Sequence, residues 1–218
     1  LAPVRGAADA APLQAAAHLL AAVGKNLRDR HLRAGHDEFV EMAAQLRDGG
    51  VTVTVLSDAE AEARGVLAVM ALTDPNGHAV EVFHGPLVQF DKPFHPGRRM
   101  HGPFKTGAGG IGHVMQSTKA SLEEKYAFYR LLGMRGGIEY KLAVPGAPGP
   151  IPLMFMHCNE RDHTVAFGPP SKKSINHLML EVENIDDVFM THDLVQASKY
   201  PVMISLGKHA NDRMFSFY

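Results

Sequence analysis

Two histidines sit where histidine is costly. His113 lies in the apolar run Ile111-Gly-His-Val-Met, and His177 lies in Ile175-Asn-His-Leu-Met-Leu. An imidazole inside an apolar strand must be hydrogen-bonded or ligated to offset its loss of water. Either one alone reads as a satisfied core histidine. Their settings match, however: eight residues after each comes the start of a helix with acidic residues in its first turn, at Ser121 and at Ile185. Equivalent places in a repeat put both side chains into one cleft, and a metal ion is the simplest thing for two neutral imidazoles to share. Two histidines and one carboxylate on one face is the donor set that holds Fe(II) with open positions for other ligands.

Further candidates lie around the pair. His157-Cys-Asn-Glu-Arg-Asp-His163 ends one apolar run and begins the next. A histidine at a strand start can serve as an acid or base, because its ordinary pKa is near 6.5. His209-Ala-Asn-Asp212 precedes a last predicted strand that reaches Tyr218. Taken singly, each has an ordinary reading. His157, Asn159 and Asp212 would cap loops, His163 and His209 would sit on the surface, Tyr218 would be half-buried, and Glu160 and Arg161 would form a solvated pair.

These residues need a scaffold, and the hydrophobic pattern supplies one. Leu13–Val23 reads as helix. His36–Asp48 is amphipathic, with Phe39, Met42, Ala43 and Leu46 at helical spacing, and Gly49-Gly50 stops it. Val51–Leu56 and Gly65–Thr73 read as strands. Asp74-Pro-Asn-Gly77 is a turn signal, and His78–Phe83 returns as the second arm of a hairpin. Pro86–Lys105 is a proline-punctuated connector. Ser121 and Glu124 have the spacing of a capping box at the start of a helix that Gly133 ends. Strands are expected at Leu153–His157, His163–Phe167, Ile175–Val182, Val202–Ser205 and Met214–Tyr218, with a helix at Ile185–Gln196. The order predicts an α+β fold of repeated βαβββ modules forming two domains, with curled mixed sheets around a metal cleft. Residues 1–100 would form a non-catalytic domain whose first 34 residues are atypical. Residues 101–218 would form a catalytic domain lacking its last strands.

Composition narrows the choices. The chain has 218 residues and a formal net charge of -1, so neither nucleic acid nor an anionic membrane is an expected partner. Runs such as Val66–Leu72 are too short to span a bilayer, and Leu1–Gly6 lacks the layout of a secretory signal. Cys158 is the single cysteine, which excludes an internal disulfide and a thiolate cluster and suits a reducing cytoplasm.

Gly-Ile-Gly-His113-Val, Phe-Met-His157-Cys-Asn-Glu-Arg-Asp-His163-Thr-Val-Ala, Asn-His177-Leu-Met-Leu-Glu and His209-Ala-Asn-Asp212 with Ser-Phe-Tyr218 occur in that order. With the connector Lys92-Pro-Phe-His-Pro-Gly-Arg-Arg99, they resemble the type I extradiol dioxygenases of the vicinal oxygen chelate superfamily. The likeness runs from about Gly35 to Tyr218 and is greatest to the enzymes that cleave bicyclic catechols, the 2,3-dihydroxybiphenyl and 1,2-dihydroxynaphthalene dioxygenases. The resemblance implies an Fe(II) cofactor, a catechol and O2 as substrates, and assembly as a homo-oligomer, possibly an octamer. It makes His113 and His177 iron ligands and His163 the acid/base residue. His209 and Tyr218 would bind the catechol and help to deprotonate it, with Asp212 behind them. It places the third ligand, a glutamate, beyond Tyr218, and leaves Glu81 a structural residue. Two other classes share the fold. Glyoxalase-like enzymes have no use for His163, His209 and Tyr218 together, and a metal-free binding protein has no use for His113 and His177.

Overall fold

The structure, a computed structural model, describes residues 19–20, 32–143 and 146–218. It is α+β. In the first part β1 (Leu19–Leu20) precedes α1 (Leu32–Asp48), β2 (Thr54–Val55), α2 (Asp58–Ala63), β3 (Val66–Thr73) and β4 (Ala79–Pro86). The sheet order is β1-β4-β3-β2, with β1 parallel to β4 and the other pairs antiparallel. In the second part β5 (Gly112–Ser117), α3 (Leu122–Leu131), β6 (Arg135–Leu142), β7 (Ile151–His157) and β8 (Val165–Gly168) give the order β6-β7-β8-β5, again with the first strand parallel to the fourth. The two sheets therefore share one topology, the βαβββ repeat expected from the sequence. The first module carries α2 as an insertion. A further unit opens with β9 (Ile175–Leu180) and α4 (Ile185–Gln196), followed by the short pair β10 (Gly207–Lys208) and β11 (Phe215–Ser216). β9 pairs antiparallel with β5 at the end of the second sheet.

One apolar core runs through both modules. Phe39, Ala43 and Leu46 on α1 face Met70, Leu72, Val80 and Val82. The same cluster continues through Phe128, Tyr129 and Leu132 to Met154, Met156 and Phe167. Met154, Met156 and Phe167 are thus core. The predicted cap behaves as its residues dictate. Ser121 accepts from the Glu124 amide at 3.1 Å while the Glu124 carboxylate accepts the Ser121 amide at 2.9 Å. Asn184 accepts from the Asp186 amide and opens α4.

Three expectations are corrected. Leu19–Leu20, inside the predicted Leu13–Val23 helix, is strand, because Leu19 pairs with Val80 and Leu20 with Glu81. Sheet pairing outweighs a modest helical propensity there, and the rest of that prediction lies outside the described residues. The Val51–Leu56 strand contracts to two residues, and Ser57 and Glu60 form a second capping box that starts α2. Val202–Ser205 is not strand, although the Met203 and Ile204 amides donate to the Tyr218 carbonyl at 2.6 and 2.9 Å.

Candidate active site

The register of β5 against β9 builds the centre. His113 lies opposite Met179, and Met115 lies opposite His177. Opposed residues share a face, as do residues two apart, so both histidines project from the same side of neighbouring strands. Their Nε2 atoms are 3.1 Å apart. Two nitrogens about 2.1 Å from one ion and near a right angle would be about 3 Å apart, so the spacing suits a shared metal. Protonation suits it too. Burial, and then the neighbouring His163 and His177, push the His113 pKa down to about 3. Burial, followed by His163 and His209, lowers that of His177. Neutral rings keep the lone pairs that a metal needs. The His177 Nδ1 donates to Asn176 Oδ1 at 2.9 Å, which leaves Nε2 as the free donor atom. The pair therefore fits Fe(II) in donor type and spacing.

His163 stacks beside the pair. Its ring centroid is 4.1 Å from that of His113 and 4.8 Å from that of Phe155, and it is buried. Its Nδ1 meets Asp162 Oδ1 at 2.9 Å, so Nε2 remains for acid or base work. On the other side, the Tyr218 ring lies 4.8 Å from His177. The Tyr218 hydroxyl reaches His209 Nε2 at 3.3 Å, Ser216 Oγ reaches the same nitrogen at 3.1 Å, and His209 Nδ1 reaches Asp212 Oδ2 at 3.2 Å. Asp212 can only accept, so the His209 Nδ1 carries the hydrogen and Nε2 accepts from a hydroxyl. Burial raises the Tyr218 pKa and the Asp212 charge adds to it, against a bond with Ser216 that lowers it. The phenol is therefore a donor, and Tyr218, His209 and Asp212 form a directed proton chain.

All five histidine and tyrosine candidates, with Asp212, thus come together. Among the described residues, one trio of donor atoms lies within 4.8 Å of one another, that of Asp162, His163 and Asp212. Glu81 is occupied elsewhere. Its carboxylate takes Arg64 Nε at 3.0 and 2.9 Å and the Arg64 Nη2 at 2.8 Å, as a structural residue would. His157 Nδ1 donates to the Asn159 carbonyl at 3.2 Å, the loop role expected of it.

Arg161 is a correction. It is not half of a solvated pair with Glu160. Its guanidinium, about 10% exposed, donates to the carbonyls of Gly109 at 2.6 Å and Lys105 at 2.8 Å and pairs with Glu181. It ties the connector to the end of β9. Two cavities meet at the His113, Met179, Asp212 and Met214 wall. One of about 380 Å³ carries Lys105, Glu160, Arg161, Asp162 and His163 in its lining. One of about 490 Å³ runs along β9, with Phe94, Met100, Phe104 and Val182 at one side and His209 and Tyr218 at the other.

The Glyoxalase/Bleomycin resistance protein/Dioxygenase superfamily matches residues 110–218. A 1,2-dihydroxynaphthalene dioxygenase of Sphingobium xenophagum and a biphenyl-2,3-diol 1,2-dioxygenase of Sphingomonas paucimobilis are each 50% identical over 182 residues, 83% of this chain and 60% of theirs. The chain thus spans 60% of the length of these relatives. The crystal structure of a catechol 2,3-dioxygenase superposes with a TM-score of 0.78 at 46% identity, covering 84% of this chain and 64% of that one.

Proposed function

Because this chain belongs to the Glyoxalase/Bleomycin resistance protein/Dioxygenase superfamily, we propose that the protein is an Fe(II)-dependent extradiol dioxygenase that opens a bicyclic catechol beside its two hydroxyls. The observation that carries this reading is the convergence of the His113 and His177 Nε2 atoms at 3.1 Å, with His163 on one side and the Tyr218–His209–Asp212 chain on the other. His113 and His177 would hold Fe(II) through Nε2, with a glutamate beyond Tyr218 as the third donor. The chemistry that Fe(II) supplies when bound is the joining of catecholate and O2 at one centre, with electron density passed between them.

The protein's own residues handle orientation and protons. Tyr218 donates its O–H towards His209 Nε2, so a substrate hydroxyl entering this chain is hydrogen-bonded on arrival. The proton it loses passes to His209 Nε2, and Asp212 stabilises the imidazolium through Nδ1. His163, oriented by Asp162 through Nδ1, presents Nε2 to the site as a second acid or base group. Phe94, Met100, Phe104 and Val182 give the substrate an apolar wall beside these polar groups.

The proposed substrate is 2,3-dihydroxybiphenyl. A second reading, 1,2-dihydroxynaphthalene, is favoured by the equal identity to relatives named for each diol. The larger cavity, about 490 Å³, suits a two-ring ligand. Homo-oligomeric assembly and a cytoplasmic setting belong to the same proposal. The lone Cys158 suits reducing conditions, and among the described residues no helix is long and apolar enough to cross a membrane.

The test is anaerobic reconstitution with Fe(II), then 2,3-dihydroxybiphenyl in air. A yellow ring-opened product that requires Fe(II) and is lost in His177→Ala supports the proposal. Tight iron binding with colour only from 1,2-dihydroxynaphthalene supports the second reading. Absence of both iron binding and colour would overturn the assignment.

A further inference from the structure

The hairpin turn of the first module does more than reverse the chain. Asp74 Oδ1 accepts the amides of Asn76 at 2.8 Å and His78 at 2.9 Å, and Gly77, at φ 85°, closes the turn in a conformation that glycine adopts without strain. The rigid turn then grips the second sheet with two side chains. Asn76 Nδ2 donates to the Ser117 carbonyl at 3.1 Å, and its Oδ1 accepts the Lys119 amide at 2.7 Å. His78 Nε2 donates to the Ser174 carbonyl at 3.2 Å. Ser117 is the last residue of β5, four after His113, and Ser174 immediately precedes β9, three before His177. The Ser117 amide also donates to the Ser174 carbonyl at 2.9 Å. One turn therefore holds the adjoining ends of both histidine-bearing strands.

The grip continues to the point where the register changes. The β5–β9 pairing shifts between Met115 and Gln116. Lys125 Nζ donates to Gln116 Oε1 at 2.8 Å and to Asp74 Oδ2 at 2.5 Å, and the Tyr129 hydroxyl joins Gln116 to Asp74 at 3.0 and 3.2 Å. Lys125, Gln116 and Tyr129 are fully buried, and Asp74 nearly so. A buried ion pair of this kind adds little net stability compared with apolar residues of the same volume, and its best-attested use is to fix register. Register matters here, because a slip of one residue in β9 would turn His177 to the other face of the sheet.

We propose that Asn76 and His78 are positioning residues for the His113–His177 pair, fixing the β5–β9 register from the neighbouring module. The metal side of this proposal rests on the function proposed above, whereas the register side does not. The turn's hydrogen bonds go to Ser117, Lys119 and Ser174, and through Lys125 and Tyr129 to Gln116, so its action on the histidine pair is indirect.

The experiment uses the full chain with His78→Leu, His78→Gln and Asn76→Ala, and with Phe39→Leu as a control for general loss of stability in the first module. The readouts are hydrogen exchange of the β5–β9 ladder amides and the affinity and absorption spectrum of bound Co(II). We expect His78→Leu and Asn76→Ala to lose at least about tenfold protection in that ladder beyond the control at matched stability. Co(II) affinity should fall about tenfold or more with a changed spectrum. His78→Gln, whose amide can still donate to Ser174, should recover most of both. Ladder protection that merely tracks stability, as in Phe39→Leu, would overturn the proposal. Selective loss of protection in a protein that takes up no Co(II) would support the register role while counting against the proposed function alone.

Discussion

His113 and His177 stand diagonally across one antiparallel pairing, with Met179 and Met115 completing the square, and their Nε2 atoms meet at 3.1 Å. The closeness is a property of the backbone register, so both imidazoles should be needed together. His113→Ala or His177→Ala should each weaken Fe(II) or Co(II) binding by more than about 100-fold, since loss of an orienting partner alone costs about 10–100-fold. Titration calorimetry on each variant checks this. Unchanged affinity in either one would place the metal elsewhere, for instance at Asp162, His163 and Asp212.

The relay through His209 gives a different expectation. Asp212→Asn keeps the shape of the side chain but removes the charge that stabilises a protonated His209. If His209 is the base, kcat should fall about 10²–10⁴-fold with little change in metal content. Tyr218→Phe removes the hydroxyl that opens the chain, and so should raise KM as well as lower kcat. Steady-state kinetics on the reconstituted variants separates the two. An Asp212→Asn enzyme of normal kcat would show that His209 moves no proton.

Much of this site was legible because its signals are local. Histidines in apolar runs, Ser121 with Glu124, and the α4 span each depend on residues close in sequence. The Asp74-Pro-Asn-Gly turn was legible as a turn, but its grip on Ser117 and Ser174 was not, because those partners lie 41 and 96 residues away. Arg161 failed for the same reason. Its neighbour Glu160 suggested a solvated pair, whereas its actual partners are Gly109, Lys105 and Glu181. The start of α2 was a different kind of miss. Ser57 and Glu60 repeat the Ser121–Glu124 spacing, a helix-start signal that directly follows an alternating valine–threonine run with the pattern of a strand.

Arg161 yields a prediction about stability and mobility. Arg161→Ala leaves Glu181 without its guanidinium and frees the carbonyls of Lys105 and Gly109. Glu181 keeps the Lys105 ammonium at 3.2 Å, so the cost should be about 1.5–3 kcal/mol, that of lost charge-assisted hydrogen bonds, rather than that of a fully unpaired buried charge. The shift in urea midpoint measures that cost, and limited proteolysis should cut first between Lys105 and Gly110. Arg161→Lys, a point charge without the fork, should recover less than half of the loss. Full recovery by lysine would mean that charge alone, and not the bridging geometry, holds the connector.

Asp74 sets the acid limit of the fold. Burial would raise its pKa, but hydrogen bonds from His78 and Lys125 and the Lys125 charge outweigh that and hold the carboxyl well below the usual carboxylate range. A folded-state pKa below the unfolded value of about 3.9 means that the ionised carboxylate stabilises the fold above that pH, and that the stabilisation is lost as pH falls through it towards the folded value. Asp74→Asn cannot titrate there. At pH 7 it should be less stable by about 3–5 kcal/mol, the cost of leaving a buried charge unpaired. The loss should lie towards the lower end, because burial already lowers the Lys125 pKa and eases its deprotonation. As pH falls below about 4, the wild-type protein alone should lose the Asp74 contribution, and the two stability curves should converge. Urea midpoints between pH 7 and pH 3 test the sign directly. Parallel curves would mean that the Asp74 carboxylate is not held ionised by His78 and Lys125, and that the buried cluster derives its strength from packing.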